Sequence, residues 1–154
     1  MKLAIGNDHA AVDLKFEIME HLQNRGIEVI NVGTDTNDRY DYAVSGYKVA
    51  RMVADHEVDG GVLICGTGIG ISLAANKVHG IRASVCSEPV SARLCKEHNN
   101  ANIICFGARI VGGEVAKKIV DEWLDGEFQG GRHAERVAMI MEIDETQHLK
   151  KAEE

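Results

Sequence analysis

Short apolar runs rich in β-branched residues alternate along this chain with longer segments whose apolar positions recur every three or four residues. Lys2-Leu3-Ala4-Ile5-Gly6 reads as a first strand. A helix follows from about Ala10 to Arg25, with Leu14, Ile18 and Leu22 on one face and Gly26 as its stop. Ile27 to Val32 reads as a second strand ending at Gly33-Thr34-Asp35, and a second helix spans roughly Tyr42 to His56. Val62-Leu63-Ile64-Cys65 is a continuous apolar run, the mark of a strand buried on both faces. Gly66-Thr67-Gly68-Ile69-Gly70 then opens a helix reaching about Lys77. Gly80 to Cys86 and Asn102 to Gly107 read as the fourth and fifth strands, with helices from Glu88 to His98 and from about Gly112 to Leu124. A last helical segment, about 132–148, carries Val137, Ile140, Met141 and Ile143 as its apolar stripe.

Five strands alternating with helices predict an α/β fold, a three-layer α/β/α sandwich around a five-stranded parallel, Rossmann-like sheet. Ligands in such sheets bind beyond the C-terminal ends of the strands. That rule singles out Gly6 to His9, Gly33 to Asp35, Cys65 to Gly70, and Cys86 to Glu88. The 154 residues fit one domain with one core. No apolar run approaches the roughly 18–20 residues that cross a bilayer, and Met1 opens no leader-like stretch. A cytoplasmic protein with no membrane partner is expected. The net charge of −7 argues against nucleic acid as a partner. It leaves room for a small phosphorylated ligand, which needs only a few gathered cations. Cys65, Cys86, Cys95 and Cys105 show no Cys-x-x-Cys spacing and are expected as free thiols.

Gly66-Thr67-Gly68-Ile69-Gly70 is the strongest local signal for chemistry. Glycines let the backbone approach a ligand, and the helix start beyond them presents unpaired N–H groups at a positive dipole end. Such a nest suits phosphate or a developing oxyanion; the alternative is a strand-to-helix turn packed tightly for structural reasons. Position 71 is Ile, so this is not the dinucleotide fingerprint, and no Walker A ending follows. Cys65 ends the strand before this loop, where a helix N-terminus favours the thiolate as nucleophile or base. A buried, inert thiol is the alternative. Cys95 falls in a helical pattern and Cys105 in a strand, whereas Cys86 also ends a strand and is not dismissed by position.

His98 closes the fourth helix, either as a cap held protonated by the helix C-terminus or as a proton carrier near neutral pH. Cys95 and His98 form an isolated Cys-x-x-His without a second ligand pair, which argues against zinc. Asp8 and His9 end the first strand, positioned for sugar hydroxyls and phosphate or as caps for the next helix. Arg132 and Arg136 share one helix face. They are either a phosphate clamp or a solvated surface paired weakly with Glu135 and its neighbours.

Several blocks, taken in order, resemble the ribose-5-phosphate isomerase B family over nearly the whole chain to about residue 145. They are Gly6-Asn7-Asp8-His9, Gly60 to Ser72, Ala74 to Lys77, Gly80-Ile81-Arg82-Ala83, Ser87-Glu88-Pro89, His98-Asn99, Phe106-Gly107-Ala108-Arg109 and Gly130-Gly131-Arg132-His133. The resemblance implies one sugar-phosphate isomerase domain over residues 1–154. It implies interconversion of ribose 5-phosphate and ribulose 5-phosphate through an enediolate, with no metal and no other cofactor. Cys65 would be the proton-abstracting base, in a family where another branch carries Glu elsewhere. Thr67 and the loop N–H groups of Gly66, Gly68, Ile69 and Gly70 would stabilise the enediolate oxygens, and His98 would open the furanose ring. Asp8 and Asn99 would hold sugar hydroxyls, while His9, Arg132 and Arg136 would hold phosphate. Arg109 and Tyr42 would line the same pocket. The resemblance also implies a homodimer or homotetramer with the active site shared between subunits.

The chain departs from the family pattern at Asn7, where a smaller residue is common, at Ala43, where Pro is usual, and at Val44-Ser45-Gly46. Allose 6-phosphate and galactose 6-phosphate therefore stand as alternative substrates. A non-catalytic nucleotide- or phosphate-binding module is the alternative from another class, although such a module needs no base at Cys65.

Overall fold

The structure, a computed structural model, describes residues 1–153. Its strands are β1 (Lys2–Asn7), β2 (Glu28–Asn31), β3 (Gly60–Cys65), β4 (Ala83–Val85) and β5 (Ile103–Gly107). Its helices are α1 (Val12–Asn24), α2 (Tyr42–Ala54), α3 (Ile69–Ala75), α4 (Pro89–Asn99), α5 (Gly113–Asp125), α6 (Gly131–Thr146) and α7 (Lys150–Glu153), with a 3₁₀ turn over His9–Ala11 before α1. The strands form one sheet in the order β2-β1-β3-β5-β4, and every pair is parallel. β3 lies at its centre and is buried along its whole length, as its unbroken apolar run requires.

Alternation along the strands divides the core in two. Leu3, Ile5, Val62, Ile64, Ile104 and Phe106 pack against Ile18 and Leu22 of α1 and Ile119, Val120 and Trp123 of α5. Ala4, Leu63, Cys65, Ile103 and Cys105 face the other way, onto Val49 and Val53 of α2 and Ile71 and Ala75 of α3. The arrangement is the α/β/α sandwich expected from the alternation of elements. Each fully buried Leu or Ile in these layers contributes about 1.5–3 kcal/mol of transfer free energy. Among the described residues no helix is long and apolar enough to cross a membrane.

Local chemistry sets the helix ends. Glu88 caps α4 by accepting from the N–H groups of Val90 (2.6 Å) and Ser91 (2.7 Å), with Pro89 in the first turn. These bonds hold the Glu88 carboxyl below the usual carboxylate range. β4 is shorter than the Gly80–Cys86 run suggests. Gly80 takes a left-handed φ of 85°, and the Arg82 N–H donates to the Asn102 side chain at 2.8 Å instead of extending a ladder. α7 lies beyond the last helical segment that the sequence pattern marks.

The connecting helices run back against their strands, so α4 begins at the C-terminal edge of the sheet and ends at the N-terminal edge. There the chain enters β5 through Asn102, whose carbonyl accepts from the Gly61 N–H at 3.1 Å. α6 packs on α4, and its far end reaches Gly80, whose N–H donates to Asp144 at 2.7 Å. Two edges of one sheet are thus furnished with different residues.

Candidate active site

At the C-terminal edge, Cys65 ends β3 in register with Gly107 of β5. Its buried thiol sulfur accepts from the Gly68 N–H at 3.1 Å, a bond that becomes charge-assisted once the sulfur is a thiolate. Gly68 has a φ of 79°, and a Cβ there would come within 2.7 Å of the Phe106 backbone. The loop is therefore folded tightly onto the end of β5, with the Ala108 N–H donating to the Cys65 carbonyl (2.8 Å) and the Arg109 N–H to that of Gly66 (3.0 Å). Gly68 thus answers to the structural reading of the loop.

The outer glycines answer to something else. A Cβ on Gly66 would lie 3.3 Å from the Arg109 guanidinium, and one on Gly70 would meet the Tyr42 ring at 2.7 Å. Both side chains border the loop. The Thr67 hydroxyl accepts from the Ile69 N–H at 3.3 Å, so that donor is already engaged, as is that of Gly68.

Asp8 and His9 stand across the gap between β1 and β3, where the strand order reverses and ligand crevices form. The Asp8 N–H donates to the Ile64 carbonyl at 3.2 Å, which ties this turn to β3. One carboxylate oxygen accepts from the Ala10 N–H at 3.0 Å, so Asp8 does cap the 3₁₀ turn. Its second oxygen has no such duty. His9 Nδ1 lies 3.2 Å from both the N and the O of Tyr40, which fixes the ring and turns Nε2 away from the backbone.

Two departures from the family pattern meet here. Asn7 is fully buried and donates to the carbonyls of Asp8 (2.9 Å) and Thr34 (3.1 Å), and the Ser45 hydroxyl donates to the Asn7 carbonyl (2.8 Å). Behind them Lys15, also fully buried, donates to the Thr34 carbonyl (2.7 Å), Asn31 Oδ1 (3.3 Å) and the Asp35 carboxylate. Asp35 is held below the usual carboxylate range by the Lys15 and Asn31 bonds. The loop that presents Tyr40 to His9 is anchored by this lysine, which reads in the sequence as an ordinary helix position.

The N-terminal edge carries the rest. His98, in the last turn of α4, stacks on His133 of α6 with ring centroids 4.2 Å apart and planes within 3°. His133 is buried, and its pKa is pushed below the ordinary histidine value by that burial, then by His98, Arg132 and Arg136. Arg132 and Arg136 are exposed on the first turns of α6, and Asn99 is exposed beside His98. Sequence reasoning gave His133 no role. Its signal was its place between the two arginines, directly after Gly130-Gly131.

The remaining thiols are Cys86, Cys95 and Cys105. Cys105 is fully buried and pushed up by that burial, while Cys86 is pushed up by its contact with Cys95, 4.0 Å away, and then by burial. None of them faces a glycine loop.

The candidate residues thus fall into two groups. Asp8, His9, Tyr42, Cys65, Gly66, Thr67, Gly68, Ile69, Gly70 and Arg109 share the C-terminal edge; His98, Asn99, Arg132 and Arg136 share the N-terminal edge. The 5 residues of β5 lie between them, roughly 16 Å at ~3.3 Å per residue. No side chain spans that distance.

The sequence profile of the Ribose/Galactose Isomerase family matches residues 3–140. The chain is 55% identical over 144 residues to ribose-5-phosphate isomerase B of Escherichia coli, covering 94% of this chain and 97% of that protein. It is 43% identical to D-erythrulose-4-phosphate isomerase of Pectobacterium atrosepticum, covering 91% and 93%. The solved structure of Clostridium thermocellum ribose-5-phosphate isomerase B superposes with a TM-score of 0.94 at 53% identity, covering 96% and 100%.

Proposed function

The chain belongs to the ribose/galactose isomerase family, and on that premise we propose that it is an aldose–ketose isomerase interconverting ribose 5-phosphate and ribulose 5-phosphate. The observation that carries the reading is the Cys65 thiol held 3.1 Å from the Gly68 N–H beside a glycine loop. A base alone removes a weakly acidic sugar proton slowly. Donors fixed where negative charge develops supply several kcal/mol of further stabilisation.

In the forward direction the ring is opened first, as His98 moves the proton of the anomeric hydroxyl to the ring oxygen. The Cys65 thiolate takes the proton from C2, and the C–H electron pair becomes the double bond of an enediolate. Thr67 and the loop N–H groups of Gly66 and Gly70 hold its oxygens, a proton shifts from O2 to O1, and the Cys65 thiol returns its proton to C1. Oxidation at C2 balances reduction at C1, so atoms and electrons close within the sugar. His9, Arg132 and Arg136 hold the phosphate away from the reacting carbons and orient the chain. Asp8 and Asn99 bind hydroxyls, and Tyr42 and Arg109 border the pocket.

The working unit is a homodimer, alone or within a tetramer, in which Cys65 of one chain faces the partner subunit's His98. Two features support this. The edges are too far apart to cooperate within a chain, and Tyr42, Val44, Tyr47, Ile69 and Leu73 are all exposed on α2 and α3 next to the loop. An apolar patch of this kind marks an interface, and a two-fold operator would complete two sites at once. The enzyme acts in the cytoplasm, whose reducing conditions suit its four free thiols.

The test is turnover of ribose 5-phosphate after chelator treatment, comparing the wild type with Cys65→Ala. Metal-independent turnover that disappears in the folded variant supports both the reaction and the base. A wild type inert on ribose 5-phosphate but active on a tetrose 4-phosphate or on allose or galactose 6-phosphate would keep the mechanism and replace the substrate. Stabilisation by nucleotides without turnover of any sugar phosphate would favour a binding module.

A further inference from the structure

Gly80-Ile81-Arg82-Ala83 stands out in the sequence, yet none of its residues enters the mechanism above. Arg82 is half-buried, and its guanidinium meets backbone carbonyls. Nε donates to the carbonyls of Asn99 and Asn100, both at 3.1 Å, and Nη2 donates to that of Asn100 at 2.9 Å. Nη1 reaches the Gly80 carbonyl (3.4 Å) and the Met141 sulfur of α6 (3.3 Å). The arginine is itself held in place: its N–H donates to Asn102 Oδ1 at 2.8 Å, and Asn102 Nδ2 donates to the Gly80 carbonyl at 2.9 Å.

The end of a helix leaves its last carbonyls without intrahelical partners. In α4 the Lys96 carbonyl is taken by the Asn100 N–H (3.1 Å), that of Cys95 by Ala101 (3.0 Å) and that of Glu97 by Gln129 (3.0 Å). The carbonyls of Asn99 and Asn100 receive the Arg82 fork. The positive guanidinium also complements the negative end of the helix dipole. This is the turn that carries His98 and Asn99.

We propose that Arg82 is a positioning residue for ring opening: its guanidinium clamps the last turn of α4 and so sets the place of His98 and Asn99. The inference rests on the isomerase reading and on the role given there to His98. An ammonium at position 82 offers a point charge and no planar fork, so lysine is a poor substitute. Nothing in the clamp touches the Cys65 loop, which lies at the other edge of the sheet.

Two assays separate this role from general support of the fold. Ribose 5-phosphate is a ring that must open, whereas ribulose 5-phosphate has its C5 oxygen phosphorylated and stays open. Solvent deuterium entering ribulose 5-phosphate therefore reports proton transfer at carbon without the ring step. In Arg82→Gln and Arg82→Lys, kcat from ribose 5-phosphate falls about tenfold to a hundredfold, while deuterium entry at saturating ribulose 5-phosphate stays within about twofold of wild type. Parallel loss of both rates, or loss of neither, overturns the proposal.

A readout without turnover stands beside them. Amide exchange at Glu97 to Asn100 quickens in both variants, with Gly66 to Gly70 unchanged; unaltered exchange at the end of α4 also overturns the clamp. His98→Asn run in parallel distinguishes the failures. If it does not show the same split between the two assays, the role given to His98 is at fault. If the wild type does not turn over ribose 5-phosphate, the substrate reading fails while the exchange experiment still decides the clamp.

Discussion

The two edges of the sheet are built by different means. At the C-terminal edge the chemistry sits on strand ends, where β3 fixes Cys65, β1 fixes Asp8, and Gly68 and Gly107 let the loop press against β5. At the N-terminal edge it sits on helix ends, held by side chains: the His98–His133 stack and the Arg82 clamp. The first edge is tied directly into the sheet ladder, and it suits proton transfer at carbon, where small displacements are costly. The second presents exposed arginines and an imidazole, as binding phosphate and moving a proton between oxygens require. Each edge lacks what the other has, so on the proposed shared-site reading a chain of this design needs a second copy to complete its site.

The comparison breaks most sharply at Cys65. Cys65→Ala lowers ribose 5-phosphate turnover by about 10³-fold and removes deuterium entry into ribulose 5-phosphate to the same extent. Circular dichroism checks that the fold persists; survival of either rate takes the base role from Cys65. His98→Asn sharpens the contrast from the other side. Turnover from the ring form falls about a hundredfold, while deuterium entry into the open ketose stays within about twofold of wild type. Equal losses in the two assays would merge the two edges into one function.

A smaller effect is expected behind the Cys65 edge. Lys15→Met removes a buried charged donor from the Thr34 carbonyl, Asn31 Oδ1 and the Asp35 carboxylate, and costs about 1–3 kcal/mol, read as a lower melting temperature. Because the freed loop carries Tyr40 against His9, KM for sugar phosphate rises while kcat changes little. A fall in kcat alone would contradict the anchoring role.

The smallest effect is at the other edge. His133 has a folded pKa below its unfolded value, so the unfolded chain takes up the proton more readily. Its contribution to stability is full above about pH 6.5 and is lost as the pH falls through the lowered value. His133→Gln flattens the fall of melting temperature between about pH 7 and about pH 5; an unchanged slope would mean that the ring does not carry this linkage.

The first edge was far more legible in the sequence than the second. An unbroken apolar strand running into a glycine loop is a local signal, and β3 with Cys65 follows from it directly. The order of the sheet is not local, because β5 inserts between β3 and β4 through pairings the alternation of elements does not specify. β4 is shorter than its apolar run because the bonds that stop it come from Asn102 in a later segment. Lys15 and His133 stayed hidden for the same reason. A lysine on a helix looks solvated until Thr34 and Asp35 fold over it, and a histidine between two arginines looks exposed until α4 covers it. Spacing brought Arg132 and Arg136 onto one face, yet only the three-dimensional fold separates them from Cys65 by the length of a strand.

Mixing two dead variants tests the shared site most directly. Cys65→Ala and His98→Asn chains are unfolded together, refolded as an equimolar mixture and assayed for ribose 5-phosphate turnover. Each hybrid dimer would join an intact Cys65 edge to an intact His98 edge once, so activity returns to about a quarter of the wild-type level under random pairing of a two-fold dimer. A mixture no more active than the two separate variants would contradict the account and return the whole reaction to a single chain.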